Sequence, residues 1–117
     1  MRAAAVLRRA RHLGLPAYGD DEVRFMASAM ERHRPTHVFD WGTNVGASAR
    51  LFYEAAQVLG FPCEIHTTEL PIEEAWRDRD HPGEYRYGEC LVGLGKGDGV
   101  WRHRGDGLSA SLNLCRY

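Results

Sequence analysis

Apolar and polar positions along the chain fall into blocks of two different periods. Residues 1–13, MRAAAVLRRARHL, are basic, Ala-rich and free of acids, and read as a helix ending near Gly14 and Pro16. That composition is shared with transit peptides, but the apolar stretch is too short for a secretory signal. A break over GLPAYG, residues 14–19, follows. From Asp20 the period is again helical. Val23, Met26, Ala27 and Met30 form one stripe, Asp20, Asp21 and Glu22 occupy the electropositive first turn, and Arg32, His33 and Arg34 the last, before Pro35 stops the run. The arginines there are accounted for by the helix end.

His37-Val-Phe-Asp40-Trp41 is short and mostly apolar, and predicts a buried strand. The glycine-bearing turn Gly42-Thr43-Asn44-Val45-Gly46 and then Ser48 come next. Leu51, Phe52, Ala55, Val58 and Leu59 then recur at helical spacing until Gly60 and Pro62. The order is strand, glycine turn, helix, which is the context that gives a glycine motif meaning. Gly42 lets the chain leave the strand sharply and a ligand approach the backbone, and Gly46 permits close packing where the helix begins. The N–H groups at that helix start can bind a polar or anionic group. Asp40 ends the strand, where open α/β sheets bind ligands, and its charge favours a cationic partner such as an amino group. An amino-acid-bearing cofactor fits this pairing better than a bare phosphate. A purely structural turn, with Ser48 as a helix cap, remains the competing reading. A P-loop is excluded, because no Gly-Lys-Ser/Thr stands at the required spacing, and G-x-G-x-x-G fails at Asn44 and Ala47.

Two more strands are predicted. Cys63 to Glu69 is rich in β-formers and ends on a carboxylate 23 residues after Gly46, near the spacing of a ribose-binding acid. A solvated surface Glu69 is the alternative. Val100-Trp101-Arg102-His103-Arg104 alternates and runs into Gly105-Asp106-Gly107, which is either a plain turn or a turn with an acid at its tip. In a doubly wound sheet of order 3-2-1-4-5 the third strand lies at an edge and the first is central, in keeping with a first run more apolar than the third. Three successive strand ends thus each carry an acid.

Composition narrows the setting. The chain has 117 residues, 44% hydrophobic and 26% charged, enough for one modest core. A net charge of −1 gives no general attraction to nucleic acid or to an anionic membrane, and no apolar run is long enough to span a bilayer. Cys63, Cys90 and Cys115 are odd in number and widely spaced, which argues against a disulfide framework or a cysteine zinc site and fits a reduced, cytoplasmic setting. Lys96 is the only lysine beside 14 arginines, a bias ascribed to codon usage.

Asp40-Trp-Gly42-Thr-Asn-Val-Gly46, Glu69 and Gly105-Asp106 together resemble the class I S-adenosylmethionine-dependent methyltransferases, from about Asp20 to Leu114. The wording VFDWGTNVGASA is most similar to the subset with sugar O-methyltransferases and cephalosporin-hydroxylase-like proteins. The resemblance implies a Rossmann-like α/β fold with S-adenosyl-L-methionine as cofactor and a small-molecule methyl acceptor. It implies that Asp40 holds the methionine amino end, directly or through water. The turn bearing Gly42, Thr43, Asn44 and Gly46 would pass under the methionine moiety, Ser48 would also be cofactor-binding, Glu69 would take the ribose hydroxyls, and Asp106 with Gly107 would contact the adenine. Where many members carry a third glycine this chain has Asn44.

The expected organisation is an N-terminal helical segment, residues 1–19, and a partial cofactor-binding Rossmann-like domain, residues 20–117. About 80 residues follow Val38, room for about two and a half βαβ units, so a truncated sheet of about three strands is expected. The segment 109–117 would begin the next helix. The catalytic half of the family's domain is then missing, no catalytic residue is named, and the chain reads as a fragment or degenerate copy. The first strand would be an open edge inviting a homodimer or a partner chain. The competing functions are a non-catalytic binding or interaction module and an adenine-nucleotide-binding Rossmann domain of another class.

Other constellations carry less. Pro71 to Trp76 reads as a short helix, with Trp76 covering a cofactor or plugging the core. Asp78-Arg-Asp80-His81 has metal-ligand types but reads as a solvated loop, and no metal site is expected. Glycines 93, 95, 97 and 99 predict a flexible loop. The six histidines are scattered along the chain, and His37, His66 and His103 are expected packed or partly exposed in strands.

Overall fold

The computed structural model describes residues 2–15, 19–41, 46–69 and 88–104. Along them run α1 (Arg2–His12), α2 (Asp20–His33), β1 (His37–Asp40), α3 (Ala47–Leu59), β2 (Glu64–Glu69) and β3 (Val100–Arg104). The strands form one parallel sheet in the order β1-β2-β3. The fold is therefore α/β and Rossmann-like, a parallel sheet with flanking helices, preceded by helices at the N-terminus. The expected helix at 71–76, the onset of another at 109–117 and the turn at 105–107 lie outside the described residues.

Local chemistry sets the helix limits. In α2 the three acids fill the first turn and Arg32 and His33 the last, each complementing the helix dipole. The helix closes on Arg34, which is left-handed at φ 41° and donates its N–H to the Met30 carbonyl at 2.9 Å. Pro35 then prevents continuation. α3 ends at Gly60, where φ is 75° and the N–H reaches the Ala56 carbonyl, a conformation glycine adopts without a Cβ penalty.

The three helices share one apolar core. Ala3, Val6, Leu7 and Ala10 of α1 meet Val23, Ala27 and Met30 of α2 and Leu51, Ala55, Ala56 and Leu59 of α3. Met26 of the expected α2 stripe is partly buried against them. A second cluster joins Ala49 of α3 to Ile65, Val100 and Leu91, with Val38 shared by both clusters. The helices thus cover the sheet face that carries Val38, Ile65 and Val100. Strand alternation turns His37, Phe39, Glu64, His66, Thr68, Trp101 and His103 to the other face.

Two expectations change. β1 is not buried: His37 is exposed and Val38, Phe39 and Asp40 are half-buried, whereas Ile65 to Thr68 of β2 are at most 5% exposed. Position decides this over apolar character, because β2 has a strand on each side and β1 stands at the end of the described order. The glycine-rich stretch before β3 is also more structured than its composition suggests. It contains two 3-10 turns, Glu89–Leu91 and Lys96–Asp98, with Leu91 only 1% exposed. The Asp98 carboxylate accepts the Gly95 N–H at 3.0 Å.

One buried charge ties the helices together. Glu54 of α3 has 4% side-chain exposure and accepts from Arg9 of α1 at 3.1 Å and from Arg50, one turn earlier, at 2.9 Å. Arg50 also donates to the Cys90 carbonyl, so the pair links α1, α3 and the first 3-10 turn. Among the described residues no helix is long and apolar enough to cross a membrane. Replacing Glu54 by Ala is expected to cost about 2 kcal/mol in urea denaturation, since it removes charge-assisted bonds from a buried site. Arg9→Ala is expected to cost less, because Arg9 is 44% exposed and its charge is screened.

Candidate functional site

The end of β1 and the start of α3 are joined through the Asp40 side chain. Ser48, in the first turn of α3, donates its hydroxyl to Asp40 Oδ1 at 3.0 Å. Thr67, the Cα partner of Asp40 on β2, donates to Oδ2 at 3.1 Å. Each carboxylate oxygen is thereby aimed by one hydroxyl and keeps further lone-pair capacity. Burial pushes the Asp40 carboxyl above its ordinary value of 3.8, and the two hydroxyls oppose that rise without cancelling it. The fold thus holds a partly desolvated acid at the carboxyl end of a parallel strand, an arrangement more common in functional sites than elsewhere.

Gly46 makes the approach possible. Its φ is 86°, and a Cβ there would stand 2.8 Å from Leu91 Cγ. The first bond of α3 runs from the Arg50 N–H to the Gly46 carbonyl at 2.9 Å. The N–H groups of residues 47–49 precede that bond and stand at the positive end of the helix. Trp41, next to Asp40, is 60% exposed and packs edge-on against Phe39 with ring centroids 4.6 Å apart.

Asp40, Gly46 and Ser48 therefore meet in one place. Ser48 does not cap α3: the cap residue is Gly46, and the hydroxyl serves Asp40 instead. Glu69 is the last residue of β2 and has Arg104 as its Cα partner on β3, so the carboxyl ends of β1, β2 and β3 are adjacent. Gly42, Thr43, Asn44, Asp106 and Gly107 lie outside the described residues, as do Trp76 and residues 78–81.

Two features escape a reading of the sequence. Thr67 stands there only as a β-former, and its role follows from its place opposite Asp40 across the β1–β2 pair. The histidines on the other sheet face are not independent either. His37 and His66 both approach Glu64, at 2.9 and 3.1 Å, and His66 Nδ1 lies 2.9 Å from His103 Nε2. Burial, His66 and Lys96 all push the His103 imidazole below its ordinary value. The pair Glu64-x-His66 in a strand is the available signal, since i and i+2 share a face.

Two outcomes follow for Asp40 and Gly46. A carboxyl raised above its unfolded value binds a proton more tightly when folded, so its contribution to stability is full below about pH 3.8 and is lost as pH rises through the folded value. Asp40→Asn is therefore expected to raise the melting temperature relative to the parent at about pH 7, with the gain shrinking toward about pH 3. Gly46→Ala is expected to destabilise by about 2–3 kcal/mol in denaturant titrations, from the left-handed backbone and the Leu91 contact together. Adding Leu91→Ala should recover the contact part and leave the two changes non-additive. Comparison of the chain with protein families, with characterised proteins and with solved structures returns no match.

Proposed function

We propose that the chain is the cofactor-binding part of a class I S-adenosylmethionine-dependent methyltransferase, acting on a small-molecule acceptor. The observation that carries this reading is Asp40. An acid is kept at the carboxyl end of β1 although its burial is unfavourable, and two hydroxyls from different elements orient it beside a glycine-begun helix.

The donor set fits such a cofactor. Asp40 offers an anionic acceptor suited to an ammonium group, directly or through water. The amides that open α3 suit a carboxylate at the same end of the ligand. Gly46 lets the backbone come close without a side chain in the way. Glu69 at the next strand end stands where a ribose-binding acid belongs in this topology. When bound, the cofactor supplies an electrophilic methyl group on a sulfonium. The protein's contribution is positional: Asp40, Ser48 and Thr67 fix one end of the ligand so that the methyl can meet an acceptor in line.

The second reading is a binding or interaction module without transfer chemistry. Its support is the end strand β1, half-buried, with the exposed Trp41 beside it. A homodimer or a partner chain along that strand would give the same surface a different role.

Calorimetric titration with S-adenosylhomocysteine separates the two. The parent chain is expected to bind. Asp40→Ala and Asp40→Asn are expected to weaken binding by at least about tenfold, the scale of a hydrogen bond to a charged group. Ser48→Ala should lose less, since Thr67 still holds the carboxylate. A loss of affinity in Asp40→Asn alongside unreduced thermal stability would assign the acid to the ligand. No binding by the parent at about 1 mM, weaker than about 4 kcal/mol, would favour the interaction module. Preference for NAD or ATP would place the site in another nucleotide-binding class.

A further inference from the structure

On the sheet face away from α3, three side chains converge on one point. Glu64 Oε2 lies 2.9 Å from His37 Nε2 and 3.1 Å from His66 Nε2. The three donor atoms all lie within 4.8 Å of one another. We propose that His37, Glu64 and His66 form a binding site for a divalent first-row transition metal, with zinc as the reference ion.

Backbone geometry builds the site. His37 and Glu64 are Cα partners across the parallel β1–β2 pair, and His66 follows Glu64 by two residues on the same face. The two imidazoles are stacked, with centroids 5.9 Å apart and 26° between their planes. Their Nε2 atoms therefore look toward the same carboxylate oxygen.

The outer partners point the same way. His37 Nδ1 lies 2.9 Å from Thr36 Oγ1, and His66 Nδ1 lies 2.9 Å from His103 Nε2. Each ring thus has an acceptor for an Nδ1–H, the bond that in metal sites fixes the tautomer and leaves Nε2 as the ligand. With both rings in that tautomer, two lone pairs face an anionic oxygen, and a cation between them resolves the conflict. The spacing is close to that required. Ligand atoms about 2.0–2.2 Å from a tetrahedral ion are themselves a little over 3 Å apart. His66 is buried at 2% side-chain exposure and forms the fixed point. His37 and Glu64, at 59% and 42%, have the freedom to adjust and leave the ion open to water.

Two nitrogens and one carboxylate oxygen suit zinc and its neighbours rather than magnesium or calcium, which favour all-oxygen sets. Three protein ligands leave at least one coordination position for water or a small anionic ligand. The site is independent of Asp40, which lies on the opposite face of β1 and pairs with Thr67. It joins the starts of β1 and β2, so occupancy would also cross-link those strands.

The test uses tag-free, chelator-stripped protein titrated with zinc chloride by calorimetry and with cobalt chloride by visible absorption. One equivalent of zinc is expected to bind, to raise the melting temperature, and to displace cobalt from a low-symmetry, histidine-coordinated spectrum. His37→Ala, at an exposed position, and Glu64→Gln, at a half-buried one, should each weaken binding by at least about tenfold while the circular dichroism spectrum is retained. His66→Ala should abolish the cobalt spectrum, but His66 is buried, so the His37 and Glu64 variants carry the decision. Asp40→Asn should bind zinc like the parent, which separates this site from the one proposed for the cofactor. Absence of stoichiometric zinc binding by the parent at about 0.1 mM, or parent-like affinity in both the His37 and the Glu64 variants, would overturn the proposal.

Discussion

In a parallel pair each residue is held beside one partner and the side chains alternate between faces. The β1–β2 register, running from His37 with Glu64 to Asp40 with Thr67, therefore decides what both faces contain. On the helix side it brings Thr67 under Asp40. On the other side it sets His37 against Glu64. A slip of one residue would exchange the faces, setting Ile65 away from α3 and burying charged and imidazole groups in the apolar core. Apolar packing of Val38, Ile65 and Val100 against the α3 side resists that slip, so the register that makes the core also places the polar groups.

The sheet is unusual in having two chemically different faces. Parallel strands covered on both sides commonly read as continuous apolar runs. Here β2 is buried over residues 65–68 yet contains His66, Thr67 and Thr68. Buried polar groups are tolerated only when hydrogen-bonded: Thr67 donates to Asp40, and His66 Nδ1 pairs with His103 Nε2. That network makes the middle strand specific as well as stable. It also explains why hydropathy misranks the strands: β1 has the more apolar composition, but β2 is flanked by a strand on each side.

Much of the architecture is legible in the order of residues along the chain. The limits of α2 and α3 follow from caps and breakers that act over a few residues: acids at 20–22, Pro35, Gly46 and Gly60. The three strands and their order follow from short β-rich runs separated by a helix or a long connection. Asp40 and Gly46 are identifiable because a strand end, a glycine turn and a helix start are contiguous in the chain. Ser48 can be named from its position, but its role cannot be chosen there. A hydroxyl in a first turn can cap the helix or reach across, and only the position of Asp40 decides between them.

What the sequence alone determined is therefore local and periodic: which segments are helices, which are strands, and which strand end leads through glycines into a helix start. Tertiary structure decided the pairings between distant residues. His37 and Glu64 are separated by the whole of α3, and His66 and His103 by 37 positions, so no spacing rule connects them. The physical reason is that side-chain chemistry is written at each position, whereas proximity across a parallel sheet depends on register. That register is set by the summed packing of α3 on the strands and by no single residue.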